Sequence, residues 1–203
     1  SRRRHTRCSR DWSSDVCSSD LASTGEEWLV EVNANGSVLV YLAGQSASPR
    51  ISTAAGTIVS SKWQYVSLVR SSNTVTFYVD GVSKGTASKS DTFGSGTKAL
   101  LIGAYYSPAA EFFTGYISNF RFLKGTADTT VPTAPTLVTS TTMLLTCQSN
   151  RLIDNSLNNI TITKNGDTTV SSAHPFATVY QAGTQYYSTT FDGTSDYLSL
   201  TGN

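Results

Sequence analysis

The stretch WQYVSLVRSSNTVTFYVDG, Trp63 to Gly81, reads as two β-strands joined by a short polar turn. The first, Trp63–Arg70, carries apolar side chains on both faces: Trp63, Tyr65 and Val69 on one, Val66 and Leu68 on the other. A strand apolar on both faces is ordinarily central and covered on both sides. The second, Thr74–Val79, alternates, with Val75, Phe77 and Val79 pointing one way and Thr74, Thr76 and Tyr78 the other. Period-two alternation marks a half-buried strand, one face dry and one wet. Asp80-Gly81 supplies the positive φ angles of a tight hairpin turn. The other readable segments look like strands added around this hairpin.

On the N-terminal side, Glu27–Asn33 alternates with Trp28, Val30 and Val32 on one face. Asn33-Ala-Asn-Gly36 is a turn signal, and Ser37–Ala43 returns with Val38, Val40 and Leu42 inward. Gly44–Gly56 is a polar loop, and Thr57–Ser60 reads as a short edge strand. On the C-terminal side, Val82–Ala87 extends the hairpin, Asp91–Thr97 is loop, and Lys98–Ile102 is a strand stopped by Gly103. Ala104–Thr114 is a loop rich in aromatic residues, and Gly115–Leu123 is one further strand. From Thr126 to Thr142 the chain turns Thr-rich with two Pro and no alternation, the mark of an extended linker. Strands resume at Met143–Gln148. Ile160–Lys164 and Asp167–Ser171 flank Asn165-Gly166, a strong hairpin signal. Ser188–Phe191 and Tyr197–Leu200 flank Asp192-Gly193 in the same way. No segment has the 3.6-residue periodicity of a helix. Short strands separated by Gly, Asn and Asp turns predict an all-β, antiparallel β-sandwich.

The first 21 residues, SRRRHTRCSRDWSSDVCSSDL, have no periodicity and a sudden cluster of Arg. They resemble the translation of an index primer used in short-read DNA sequencing libraries. Ser1–Arg7 and Asp11–Leu21 follow its constant parts, and Cys8–Arg10 its variable index. Residues 1–21 are therefore expected to be a disordered, non-native tract and are set aside from the fold. Both ends look cut, and the chain reads as a fragment of a longer reading frame. The full chain has 203 residues, 14% of them charged, and a formal net charge of +1. Without the tract, ten basic and eleven acidic residues remain. That balance gives no basic face for a nucleic-acid partner, and no apolar run has the length of a membrane-spanning helix. Of the three Cys, only Cys147 lies beyond the tract, where a small buried hydrophobe is the ordinary reading. Cys8, Cys17 and His5 lack the paired spacing of a zinc site.

Three segments in order resemble laminin-G-like domains of the concanavalin A-like jelly-roll superfamily: Trp63–Gly81, Leu100–Gly103 (LLIG) and Phe113–Lys124 (FTGYISNFRFLK). Further on, TMLLTCQSNRLIDNSLNNITITKNGDTTVSS and YSTTFDGTSDYLSL look like the opening of a second such domain. The run TCQSNRLIDNS, with GTADTTVPTAP before it, looks like structural and tail-fibre-type proteins of marine bacteriophages. The resemblance divides the chain into residues 22–126, a sandwich lacking its opening strands, a linker at 127–142, and residues 143–203, opening strands of a second repeat. An open sandwich exposes apolar edges. The strands of 143–200 are therefore expected to fold back onto 27–123, which a linker of about 17 residues reaches at roughly 3.3 Å per residue.

The resemblance implies a non-catalytic binding or structural module of a phage virion, in a tail fibre or capsid decoration, touching host-surface glycan. Other virion proteins or copies of itself are its expected partners, with no nucleic acid and no membrane. The alternative is an accessory carbohydrate-binding module of a secreted bacterial enzyme, or a surface adhesin. Catalysis is not expected. Glycosidases of this superfold use paired carboxylates on one strand in the pattern Glu-x-Asp-x-x-Glu, which is absent. Among Glu26, Glu27 and Glu31, the last two share a strand face, but about 13 Å of rise separates them. His174, beside Pro175, reads as a loop residue. No cofactor or metal is expected: laminin-G-like domains sometimes hold calcium, but Asp80, Asp91, Asp128, Asp154, Asp167, Asp192 and Asp196 are scattered among turn residues that explain them. Stacking on sugar needs exposed rings beside polar groups. The loop from Ala104 to Phe113 offers Tyr105, Tyr106 and Glu111 for that role, against the ordinary reading that loop rings pack over the sandwich rim. The same caution applies to Tyr186 and Tyr187.

Overall fold

A computed structural model describes residues 15–18, 28–42, 48–90, 99–105, 111–176 and 186–200. Among them are fifteen strands and no helix. In chain order they are β1 (Asp15–Ser18), β2 (Trp28–Val32), β3 (Val38–Leu42), β4 (Ile51–Ser52), β5 (Val66–Ser71), β6 (Thr74–Val79), β7 (Val82–Ser88) and β8 (Leu100–Ile102). Then come β9 (Thr114–Ile117), β10 (Phe120–Leu123), β11 (Thr142–Thr146), β12 (Ile162–Asn165), β13 (Thr169–Ser171), β14 (Ser188–Asp192) and β15 (Tyr197–Leu200).

One seven-stranded sheet runs in the order β12-β15-β8-β1-β2-β3-β4. Three smaller sheets are β5-β6-β7, β13-β14-β9 and β10-β11. All these pairings are antiparallel. The large sheet forms one layer and the small sheets face it across two cores. In the first core Val32, Val38, Val40, Leu42 and Ile51 of the large sheet meet Val75, Phe77 and Val79 of β6. In the second, Ile102, Leu198 and Leu200 meet Phe113, Ile117, Leu144, Cys147 and Phe191. The period-two alternation of β2, β3 and β6 generates the first core, since each strand turns every second residue inward. Burying a side chain such as Phe77 contributes about 1.5–3 kcal/mol. The Asp80-Gly81 turn has φ angles of 53° and 76°, the double left-handed geometry that a two-residue hairpin requires.

Strands from the two ends of the sequence interleave. β11 pairs with β10, β14 with β9, and β15 with β8. The Thr-rich stretch between them contains no strand before Thr142. It is nonetheless tied to β10 and its approach. Arg121 pairs with Asp128 at 2.6 Å, Thr136 N–H donates to Asn119 Oδ1 at 2.8 Å, and Lys124 N–H donates to the Thr141 carbonyl at 3.0 Å.

The structure corrects several sequence readings. Within the tract 1–21, expected to be disordered, Asp15–Ser18 forms β1 between β2 and β8. Both flanking strands offer it unpaired backbone groups, and pairing them satisfies donors and acceptors whatever the side chains are. The edge strand expected at Thr57–Ser60 is a loop, and the strand lies at Ile51–Ser52 instead. Gln64 occupies the 57–60 backbone, its Oε1 accepting the Val59 N–H and its Nε2 donating to the Thr57 carbonyl. The strand expected at Trp63–Arg70 starts at Val66, and its first five residues are only partly buried. It borders its three-stranded sheet rather than running through the middle.

Gly115–Leu123 is two strands. The chain changes sheet at Asn119, whose φ of 56° breaks the pleat; Asn tolerates that left-handed region better than most residues. Finally, Asn165-Gly166 and Asp192-Gly193 are not hairpin turns. β12 pairs with β15 and β13 with β14, so both turns are corners carrying the chain from one layer to the other.

Candidate ligand-binding site

The register Leu29↔Tyr41 and Glu31↔Leu39 between β2 and β3 puts these four residues on one face. Their neighbours Val30, Val32, Val38, Val40 and Leu42 turn into the core, so the four lie on the opposite face of the large sheet. Leu29 is buried there, while Glu31 and Tyr41 are half-buried. Glu31 and Tyr41 are diagonal neighbours, within reach of each other for long side chains.

Tyr105, half-buried, and Glu111, exposed, both act electrostatically on Tyr41, and Glu111 acts on Glu31 as well. Burial raises the Glu31 carboxyl above the ordinary range, and the Glu111 carboxylate adds to it. Burial likewise raises the Tyr41 phenol, followed by Glu31, Tyr105 and Glu111. Two carboxylates and two phenols from three segments thus influence one another's protonation.

Of the residues the sequence offered, Tyr105 and Glu111 each act on Tyr41; Tyr106 lies outside the described residues. Spacing along one strand pairs Glu31 with Glu27, which also lies outside them. The carboxylate that acts on Glu31 is Glu111, eighty residues away and invisible to spacing along one strand. Tyr41 was missed, although one signal was present: it is the lone aromatic on the outward parity of an otherwise aliphatic strand. The other rings near this loop pack inward or on the rim. Phe112 stacks on Tyr197 at 6.3 Å, and Phe113 meets Phe191 edge-on at 5.9 Å. Tyr186 lies against His174 at 5.1 Å, in the loop where His174 was expected.

Three of the scattered aspartates also meet. Ligand oxygens of Asp167, Asp192 and Asp196 lie within 4.8 Å of one another. Asp196 is 2% exposed. Its Oδ1 accepts the Asp167 N–H at 2.8 Å and its Oδ2 the Asp192 N–H at 3.0 Å. Burial pushes its carboxyl up, and the neighbouring carboxylates contribute to the same direction. With both oxygens engaged by main-chain donors, the trio has the chemistry of a corner clamp. Asp154 plays a similar part in the run TCQSNRLIDNS, accepting N–H groups of Leu145, Ser156 and Ile160 and the Ser156 hydroxyl.

Comparison with known proteins gives one family. A family model of laminin-G type, described as the concanavalin A-like lectin/glucanases superfamily, matches residues 6–129, more than half of the chain. The match begins inside the tract 1–21. No curated protein and no solved structure matches the chain.

Proposed function

We propose, from the premise that the chain belongs to the concanavalin A-like lectin/glucanase superfamily, that it is a non-catalytic module which holds a rigid shape and contacts sugar through the outward face of its large sheet. The superfamily fits a carbohydrate-binding or structural module. The observation that carries the sugar contact is Glu31 and Tyr41, half-buried diagonal neighbours on the outward face of the large sheet, with Tyr105 and Glu111 acting on Tyr41. Ring faces stack on the apolar side of a pyranose, and carboxylates accept its hydroxyls. Tyr106 belongs to the same loop and the same proposal. The surrounding scaffold is sheet on sheet, which holds such groups in place with little motion.

The proposed setting is a phage virion, in a tail fibre or capsid decoration that touches host-surface glycan. The likeness of TCQSNRLIDNS and its preceding linker to marine phage structural proteins supports it. Residues 143–203 are read as the opening of a second repeat. Mass spectrometry of purified virions tests the setting, and peptides of this chain are expected among the structural proteins. The sugar contact is tested on a glycan array with the full chain, Tyr41→Ala and Tyr105→Ala. Each variant should lose binding by roughly 3- to 10-fold, the worth of one stacked ring. Unchanged binding in both variants would remove this face from consideration.

One observation favours a second reading. A glycoside hydrolase needs two carboxylates flanking the scissile bond, and Glu111 acts electrostatically on Glu31. Release of reducing sugar by the wild type, abolished in Glu31→Gln, would establish that reading instead.

A further inference from the structure

The chain contains two Asn-Gly dipeptides, Asn35-Gly36 and Asn165-Gly166. Both glycines are left-handed, with φ of 77° and 68°. They differ in what their atoms are bonded to. In the first, the Gly36 N–H donates to the Asn33 carbonyl at 2.8 Å, and Asn35 Oδ1 accepts the Ser37 N–H at 2.9 Å. Gly36 is buried, and a Cβ on it would run into the Ile58 carbonyl. In the second, Gly166 is exposed. Among the described residues, its N–H and the Asn165 Oδ1 have no hydrogen-bond partner. The Asn165 side chain is anchored through Nδ2 alone, which donates to Ser199 Oγ at 3.1 Å and to the Thr163 carbonyl at 3.3 Å.

We infer that Asn165 is a site of spontaneous deamidation in the folded protein, and that Asn35 is protected from the same reaction. The Gly166 nitrogen gives its proton to solvent base and attacks Asn165 Cγ. A C–N bond forms, the Cγ–Nδ2 bond breaks, and Nδ2 takes up a proton and leaves as ammonia. Water then opens the cyclic imide at either carbonyl, leaving aspartate or isoaspartate at position 165. Glycine suits the attack because it has no side chain to crowd the ring. The Thr168 hydroxyl assists. It is buried and donates to the Asn165 main-chain carbonyl at 2.7 Å. That carbonyl belongs to the peptide group that loses its proton, so the charge developing on it meets a donor already in place. The Asn35 carbonyl has a donor too, the Gly56 N–H at 2.9 Å. The difference between the sites therefore lies in the nucleophile and in Oδ1, which at Asn35 must first give up hydrogen bonds. The product also changes the corner between β12 and β13. A carboxylate at position 165 turns a donor facing the Thr163 carbonyl into an acceptor, two residues from Asp167 of the acidic trio. Isoaspartate adds a methylene to the main chain as well. Both loosen the corner as the protein ages.

The full chain is incubated in mildly alkaline buffer, native and in guanidinium chloride, and peptide mapping by mass spectrometry follows the mass gain at each dipeptide. In denaturant the two sites should react at similar rates. In the native protein Asn165 should react roughly tenfold or more faster than Asn35, as expected when one site must break two hydrogen bonds first. Thr168→Val should slow the native reaction at Asn165 by roughly threefold or more, the worth of one hydrogen bond, and leave the denatured rate alone. Thr168→Ser should restore it. If Thr168→Val does not fold, the two sites of the wild type decide by themselves. Aged wild type should melt below fresh wild type, and Asn165→Gln, whose longer side chain closes the ring far more slowly, should hold its midpoint. A native Asn165 as slow as Asn35 overturns the inference, and so does a native Asn35 that reacts first. An unchanged rate in folded Thr168→Val removes the hydroxyl from it, and an unchanged midpoint in aged protein carrying the product removes the loosened corner.

Discussion

Asp196 holds the main-chain N–H of Asp167 with one carboxylate oxygen, at 2.8 Å, and reaches across 29 residues of sequence to do so. Its other oxygen holds the N–H of Asp192 at 3.0 Å. The two contacts tie together the corners β12–β13 and β14–β15, which both carry the chain between layers. Without the tie, each Asn-Gly or Asp-Gly turn is free to close as a local hairpin, the pairing those dipeptides favour. Asp196→Ala removes both acceptors and leaves two N–H groups without them, which costs about 2–4 kcal/mol. Urea unfolding measures it. A loss under about 0.5 kcal/mol, the range of an ordinary surface substitution, would show that the corners hold themselves.

Gly166 is where this clamp meets its turn. Its φ is +68°, and a Cβ placed there would lie 2.7 Å from the Ser195 carbonyl oxygen as well as against the Asp196 side chain. Gly125 is the matched control: its φ is +84° and nothing lies within 4 Å of its Cβ position. Gly125→Ala should cost about 1 kcal/mol, the strain of a left-handed Ala. Gly166→Ala should cost about 3 kcal/mol or more, because backbone must move in addition. Equal melting temperatures for the two variants would mean that the corner yields without resistance.

The second core contains a polar group with no return on its burial. Thr189 is fully buried, and its hydroxyl has no hydrogen-bond partner among the described residues. It stands opposite Ile117 in the pairing of β14 with β9, on the same strand parity as Phe191 of the core. Thr189→Val keeps the shape and removes the unsatisfied oxygen, and should stabilise the fold by about 1 kcal/mol. Thermal melting reads it directly as a rise in midpoint. A fall would show that the hydroxyl bonds a water or a neighbour.

Much of the first core was legible because alternation is a local signal. Val38, Val40 and Leu42 face inward, as do Val75, Phe77 and Val79, since every second residue of a half-buried strand must do so. What the sequence could not show is which strand neighbours which. Asn165-Gly166 carries the same letters in a hairpin and in a corner; the difference is made by Asp196, thirty residues on. Asn119 breaks Gly115–Leu123 for a similar reason, since its left-handed φ is supported by Thr136 and Cys147. The candidate site divides in the same manner. Tyr105 and Glu111 were visible as polar and aromatic chemistry in one loop, whereas Glu31 and Tyr41 share a face only through the pairing register of β2 with β3.

Glu31 makes a prediction about pH. Its folded carboxyl lies above the ordinary range, first through burial and second through Glu111. A group raised in the folded state contributes stability that is fully present below its unfolded value and is lost as pH rises through the folded value. Wild type and Glu31→Gln should therefore match at the acidic end of the carboxylate range, where Glu31 is neutral. As pH rises toward neutrality the wild type takes on a half-buried charge and Gln does not, so Glu31→Gln should melt at the higher temperature, with a gap that opens through the carboxylate range. Glu111→Gln removes only the smaller of the two causes and should recover less of that gap. Melting curves of the three proteins across that range decide the matter. A Glu31→Gln protein less stable than wild type at neutral pH would mean that the carboxylate is satisfied by a cation of the protein itself.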